Sequence, residues 1–204
     1  GEVVFAKTAT TNGNCRIAGI FGYQGCSSGA HILKCENRNS VTVIGGVPGS
    51  KYTAIGGIFG QVQSCVVEGC TNSANGIISA SPEANCQKVI IGGVGGLTTS
   101  SDAVSLTNCN NKGSVSTTCP AKDYIKVGGI LGWFYTSTTQ DLIDDIEAVG
   151  EDGASAPTKV SVTSTLSGCV NIGKVRADGK PSSTVIGGIV GTSAVPVSES
   201  KVFC

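Results

Sequence analysis

The sequence predicts an all-β protein wound as a right-handed parallel β-solenoid (β-helix), about five coils of about 36 residues with one short helical insertion. Three observations carry that expectation. A glycine-rich apolar phrase recurs along the chain: AGIFG from Ala18, IGGIFG from Ile55, IGGVGG from Ile91, VGGILG from Val127 and IGGIVG from Ile186. A second phrase, Cys-x-Asn-x-Gly-x-Val, interleaves with it at the same interval. Between the two lie short runs of Val, Ile and Thr in strand-like alternation, such as Val41-Thr-Val43 and Val160-Ser-Val162, punctuated by turn residues.

Taken in order, the glycine phrase stands at Ala18, Gly56, Gly92, Gly128 and Gly187, in steps of 38, 36, 36 and 59. The cysteine phrase stands at Cys35 (CENRNSV), Cys70 (CTNSANGI), Cys109 (CNNKGSV) and Cys169 (CVNIGKV), in steps of 35, 39 and 60. Both series lengthen at the same place, which puts one insertion at about 134–159 in an otherwise single array over 1–204. The copy at Cys35 carries Asn39 where Gly would stand. Asn is the non-glycine residue that best tolerates a left-handed backbone, so a turn of that kind is expected there. Three strands of roughly five residues plus their corners fill one unit.

The glycines follow from stacking. In a coil whose strands pair with their equivalents in the next coil, each residue sits on its own counterpart about 4.8 Å away. The pairs Gly56-Gly57, Gly92-Gly93, Gly128-Gly129 and Gly187-Gly188 are then columns where a Cβ would clash in every coil. Ile58 and Phe59 beside them fill the interior, and the Asn of the other phrase forms a side-chain ladder or caps a turn. Cys35, Cys70, Cys109, Cys169 and Cys204 occupy one repeat position and form a further column.

These residues resemble GLUG-motif repeats, whose Gly-apolar-x-Gly signature is met in GGIFG, GGILG and GGIVG alternating with CxNxGxV. The resemblance spans the chain apart from the insertion. The departures are GGVGG at Gly92, the additional IGGVPG at Ile44 and the number of extra cysteines. It implies a non-enzymatic β-helical stalk or adhesive segment of an extracellular or cell-surface protein, without cofactor or chemistry of its own.

Ten Cys point to an oxidising compartment, while one His and no CxxC pair leave a tetrahedral zinc site without its usual spacing. Stacked cysteines on parallel strands meet the distance rule for a disulfide but seldom its torsion rule, so most of the column is expected as buried thiols. The others, Cys15, Cys26, Cys65, Cys86 and Cys119, are out of phase; the pairings considered are Cys15 with Cys26 and Cys86 with Cys119, with Cys65 finding Cys70 or remaining a thiol.

The insertion holds TQDLIDDIEAVGEDG. Thr138 with Asp141 resembles a capping box and Leu142, Ile146 and Val149 share a helical face, so a short amphipathic helix is expected, with the acids on its solvated side. Those acids match no EF-hand spacing for calcium. Elsewhere Glu36, Glu68, Glu83, Asp102, Asp123 and Asp178 do not line up in consecutive units as the facing carboxylates of a glycosidase would. His31 has no evident partners for a catalytic triad. Thr8-Ala-Thr10 and Thr163 stand at unmatched positions, against a regular ice-binding face.

Fourteen basic residues balance fourteen acidic ones, so no net field draws nucleic acid. The longest apolar run, Val89 to Leu97, falls well short of the roughly 18 residues that cross a bilayer. The chain opens GEV and closes VFC, matching the two halves of the cysteine phrase. That pattern suggests an array cut in mid-phrase, either a piece of a longer chain or a subunit that stacks end to end in a filament. Expected partners are other surface proteins, glycans or further copies of the chain; a carbohydrate-active β-helix enzyme or glycan-binding module is the alternative.

Overall fold

The structure, a computed structural model, describes residues 1–6, 14–44, 52–81, 88–99, 103–118, 124–135, 164–178, 183–194 and 201–202. These residues are all β, with no helix among them. The first repeat contributes β1 (Val3–Ala6), β2 (Cys15–Ala18), β3 (Phe21–Leu33) and β4 (Glu36–Asn37). The second contributes β5 (Val41–Ile44), β6 (Thr53–Gly56), β7 (Phe59–Glu68) and β8 (Thr71–Asn72). In the third, β9 (Ile78–Ser81), β10 (Lys88–Gly92), β11 (Gly95–Thr99), β12 (Ser105–Thr107) and β13 (Asn110–Asn111) follow. The fourth holds β14 (Val115–Thr117), β15 (Tyr124–Gly128), β16 (Leu131–Tyr135), β17 (Thr165–Ser167) and β18 (Val170–Asn171). Last come β19 (Val175–Ala177), β20 (Ser183–Gly187), β21 (Val190–Ala194) and β22 (Lys201–Val202). A repeat thus uses more strands than the three expected, because the cysteine phrase supplies a two-residue strand of its own and the segment before it pairs separately.

The strands assemble into parallel sheets in which each neighbour is the equivalent strand of the adjacent repeat. One sheet runs β1-β5-β9-β14-β19, a second β2-β6-β10-β15-β20 and a third β18-β13-β8-β4. In the fourth, the first half of β7 continues through β11, β16 and β21, its second half through β12, β17 and β22, and β3 pairs along both halves. The register aligns the sequence repeat residue by residue. Ile17, Ile55, Ile91, Val127 and Ile186 form one file, and Ala18, Gly56, Gly92, Gly128 and Gly187 the next. The long step around the insertion keeps register: Asn111 still pairs with Asn171 and Val115 with Val175. Strand β16 extends through Tyr135, and the helix expected in 134–159 otherwise lies outside the described residues.

Alternation decides what is buried. In β5 and β9, Val41, Val43, Ile78 and Ala80 point inward and pack with Ile55, Ile91, Ile125 and Val127. A second cluster gathers Ile58, Phe59, Val62, Val67, Leu106, Phe134 and the cysteines at 70, 109 and 169. Ile58 and Phe59 are fully buried, as their place beside the glycines predicts. A third cluster, unforeseen in the sequence, packs Tyr52, Ala54, Ile90, Leu97, Trp133 and Tyr135 on the opposite face of the second sheet.

The left-handed residues are not where the sequence suggested. Asn39 does not have positive φ; the file immediately before each cysteine does, with Lys34 at 52°, Gly69 at 63°, Asn108 at 54° and Gly168 at 62°. Glycine in the cysteine phrase answers to close approach instead. A Cβ on Gly113 would stand 2.1 Å from the carbonyl oxygen of Gly76, and one on Gly173 1.9 Å from that of Gly113.

Candidate functional site

The residues singled out in the sequence come together where the glycine phrase meets the cysteine phrase. Asn37 Nδ2 donates to Asn72 Oδ1, Asn72 Nδ2 to Asn111 Oδ1 and Asn111 Nδ2 to Asn171 Oδ1, each at 2.7 Å. The second N–H of each amide turns back on its own loop, to the carbonyl oxygens of Asn39 (2.8 Å), Gly76 (2.6 Å), Gly113 (2.9 Å) and Gly173 (3.1 Å). The file is therefore both a ladder and a set of turn caps. Asn72 and Asn111 are fully buried, where an unmatched amide costs about 1–3 kcal/mol, so the match of every donor to an acceptor matters.

Glycine makes room for this ladder. A Cβ on Gly57 would lie 2.7 Å from Asn72 Oδ1 and 2.4 Å from the Gly93 carbonyl oxygen; on Gly129 it would lie 2.3 Å from Asn171 Cγ. The first glycine of each pair faces its own turn: a Cβ on Gly56, Gly92, Gly128 or Gly187 would meet the carbonyl oxygen three residues on at 2.2, 2.1, 2.0 and 1.8 Å. Gly188 alone among these has nothing within 4 Å.

Two residues from each Asn, the thiols of Cys35, Cys70, Cys109 and Cys169 form a parallel file, while Cys204 lies outside the described residues. Three of the four sulfurs sit near a carbonyl of the preceding repeat: Cys70 S–H to Ile32 O at 3.4 Å, Cys109 to Val67 O at 3.7 Å and Cys169 to Leu106 O at 3.8 Å. Lying next to one another along the file, the thiols divide their acidities. The neighbouring Cys109 brings Cys70 down to about 7 against the opposing pull of burial. Cys109 likewise lowers Cys169, while Cys109 itself, between Cys169 and Cys70 and desolvated, is pushed up. Burial chiefly, with Cys70 beside it, raises Cys35.

No disulfide joins the described cysteines. Cys15 lies half-buried in β2, and no bridge links Cys65 to Cys70 although both lie in one core cluster. The side chain of Cys26, and all of Cys86 and Cys119, lie outside the described residues.

A second constellation was not read from the sequence. Across the third cluster, Arg16, Ala54, Ile90 and Lys126 share one file of the second sheet, and Tyr23, Gln61, Leu97 and Trp133 one file of the fourth. Cation thus faces ring at both ends of the set. The Arg16 guanidinium lies 4.3 Å from the Tyr23 ring centre, and Lys126 Nζ lies 2.9 Å from that of Trp133 and 4.5 Å from that of Tyr124. Arg16 Nη2 donates to Tyr52 Oη at 3.0 Å, Arg16 Nε to Gln61 Oε1, Tyr52 Oη to Gln61 Oε1 at 2.5 Å and Gln61 Nε2 to Thr99 Oγ1 at 2.7 Å. Register was the missing signal: Arg16 and Tyr23 are unremarkable until their files are aligned.

The remaining candidates stay apart. His31 is exposed on β3 opposite Val66. Glu36 and Asp178 are each paired with an arginine two residues away, at 2.7 Å from Arg38 and 2.6 Å from Arg176. Glu83, Asp102, Asp123 and the acids of the insertion lie outside the described residues. Among the described residues no helix is long and apolar enough to cross a membrane. No family model, curated protein or solved structure matches the chain.

Proposed function

We propose that this chain is a structural or adhesive segment of an extracellular surface protein, wound as a right-handed β-solenoid of about five coils. The resemblance to GLUG-motif repeats belongs to the same proposal. The observation that carries it is the unbroken Asn37–Asn72–Asn111–Asn171 ladder with the glycines that admit it. It commits the most recurrent residues of the chain to holding repeats in register, which supports a scaffold whose outer faces and loops meet partners. Stacking end to end into a fibre is compatible with this reading.

Binding of the immobilised chain to extracellular-matrix proteins and a glycan array, beside an assay for polysaccharide cleavage, tests the proposal. Retention on matrix or glycan without cleavage supports it; new reducing ends or unsaturated sugars would overturn it. Electron microscopy separates fibre from monomer. A glycan-binding module is favoured in second place by Tyr23, half-exposed beside the Arg16 guanidinium with its hydroxyl donating to Gln63 Oε1 at 3.3 Å. Loss of glycan retention in Tyr23→Ala would mark that surface.

A further inference from the structure

The chain has three arginines. Arg38 and Arg176 are exposed, and each pairs with a carboxylate two residues away. Arg16, half-buried in β2, pairs with no carboxylate among the described residues. Its file is filled by Ala54 and Ile90 in the next two repeats, so packing does not call for a guanidinium there. The side chain is nevertheless held in place. Nε donates to Gln61 Oε1 and Nη2 to Tyr52 Oη at 3.0 Å, and Gln61 is itself tied to Thr99 Oγ1 at 2.7 Å. Both acceptors are neutral and take up two of the five N–H groups of a guanidinium; the others meet no protein acceptor among the described residues.

Tyr23 is fixed beside it. The guanidinium lies 4.3 Å from the ring centre, and the tyrosine hydroxyl donates to Gln63 Oε1 at 3.3 Å. The ring crosses Gly25, where a Cβ would stand 2.3 Å from Tyr23 Oη. Tyr23 nonetheless remains 49% exposed. A positioned cation with donors to spare, next to an exposed ring, suits an oxyanion carried on a sugar. The fork supplies charge-assisted hydrogen bonds, and the aromatic ring packs against the C–H face of the sugar.

We propose that Arg16 and Tyr23 form a subsite for an acidic glycan, whose carboxylate or sulfate rests on the Arg16 N–H groups while its sugar ring packs against Tyr23. Such a subsite belongs to the glycan-binding reading above and stands only with it; what it adds is the charge of the ligand. An acidic peptide would meet the same fork without calling for the fixed, exposed ring. Because Arg16 is already held by Gln61 and Tyr52, little ordering of its side chain is left to oppose binding.

The test is isothermal titration of the whole chain with tetragalacturonate against its full methyl ester, and with a sulfated galactan tetrasaccharide against its desulfated form. At least one acid should bind about tenfold or more tighter than its uncharged form, as charge-assisted hydrogen bonds imply, and the tighter acid tells carboxylate from sulfate. Arg16→Lys, which keeps the charge but loses the fork, and Tyr23→Ala should each weaken that acid about tenfold or more with circular dichroism unchanged. Lys174→Gln, exposed beside β19, should leave its affinity unchanged. The comparison of acid with uncharged form needs no variant, so it decides the matter even where Arg16→Lys does not fold. Acid and uncharged form bound alike, or a loss in Lys174→Gln equal to that in Arg16→Lys, would overturn the subsite and leave a glycan-binding surface standing. Binding of none of the four oligosaccharides, together with an empty glycan array, would overturn the subsite and that reading at once.

Discussion

The Cβ that Gly93 lacks would stand 2.3 Å from Cγ of Asn111, a residue of the other repeated phrase. The two phrases are thus one device: the second glycine of the pair leaves the space that the ladder amide occupies. Gly93→Ala should therefore cost about 3 kcal/mol, the upper part of the range for overpacking, because Asn111 is held by its own hydrogen bonds and the Gly129 carbonyl oxygen, also at 2.3 Å, is backbone that cannot swing aside. Gly188→Ala, with open space around it, should fall within about 0.5 kcal/mol of the parent. Urea denaturation of the two variants checks the pair; equal losses would refute the shared-space account.

The ladder makes a graded prediction. Asn111→Ala takes a partner from Asn72 Nδ2, from Asn171 Oδ1 and from the Gly113 carbonyl oxygen at once. The expected loss is about 3 kcal/mol, at the upper end for buried groups left unmatched. Asn37→Ala takes one from Asn72 Oδ1, one from the Asn39 carbonyl oxygen and the 3.4 Å acceptor of the Asn39 N–H, but at the more exposed end, and should cost about 1 kcal/mol. Thermal melts at fixed pH should rank them in that order.

How much of this was legible beforehand depended on whether a feature repeats. The files of Gly56, Gly92 and Gly128, and of Cys35, Cys70, Cys109 and Cys169, were readable because the same residue returns at a fixed interval, and the register follows that interval. The left-handed file was not, because Lys34, Gly69, Asn108 and Gly168 share a conformation without sharing a side chain. The pairs Arg16–Tyr23 and Lys126–Trp133 escaped for a related reason: their partners lie on different sheets and only the first and fourth repeats carry them. Four aligned repeats were needed to see either.

That left-handed file separates two roles of glycine. A Cβ on Gly69 would meet only Lys34 Cγ at 3.5 Å, so the requirement there is its φ of 63° and not space. Gly69→Ala should then cost about 1 kcal/mol, the left-handed penalty for an L-residue. Lys34→Gly should release strain of that size, less the entropy glycine adds to the unfolded chain, and leave stability level or raised by up to about 0.5 kcal/mol. Chevron or equilibrium urea data read both; a large loss in Lys34→Gly would show that its side chain and not its backbone matters.

Tyr52 supplies a pH signature. Its hydroxyl is buried among Arg16 and Gln61, and burial outweighs the favourable arginine, raising it above the ordinary value of 10.0. A phenol whose folded value lies above its unfolded one stabilises fully below the unfolded value, and the contribution is lost as pH rises from there through the folded value. Stability should therefore fall above about pH 10 more steeply in the parent than in Tyr52→Phe, which has no proton to lose. The phenolate absorption of Tyr52, isolated as the parent-minus-Tyr52→Phe difference, should rise later in the folded chain than in urea. Titration of Tyr52 at or below the unfolded value would mean that the Arg16 guanidinium, and not burial, governs this corner of the fold.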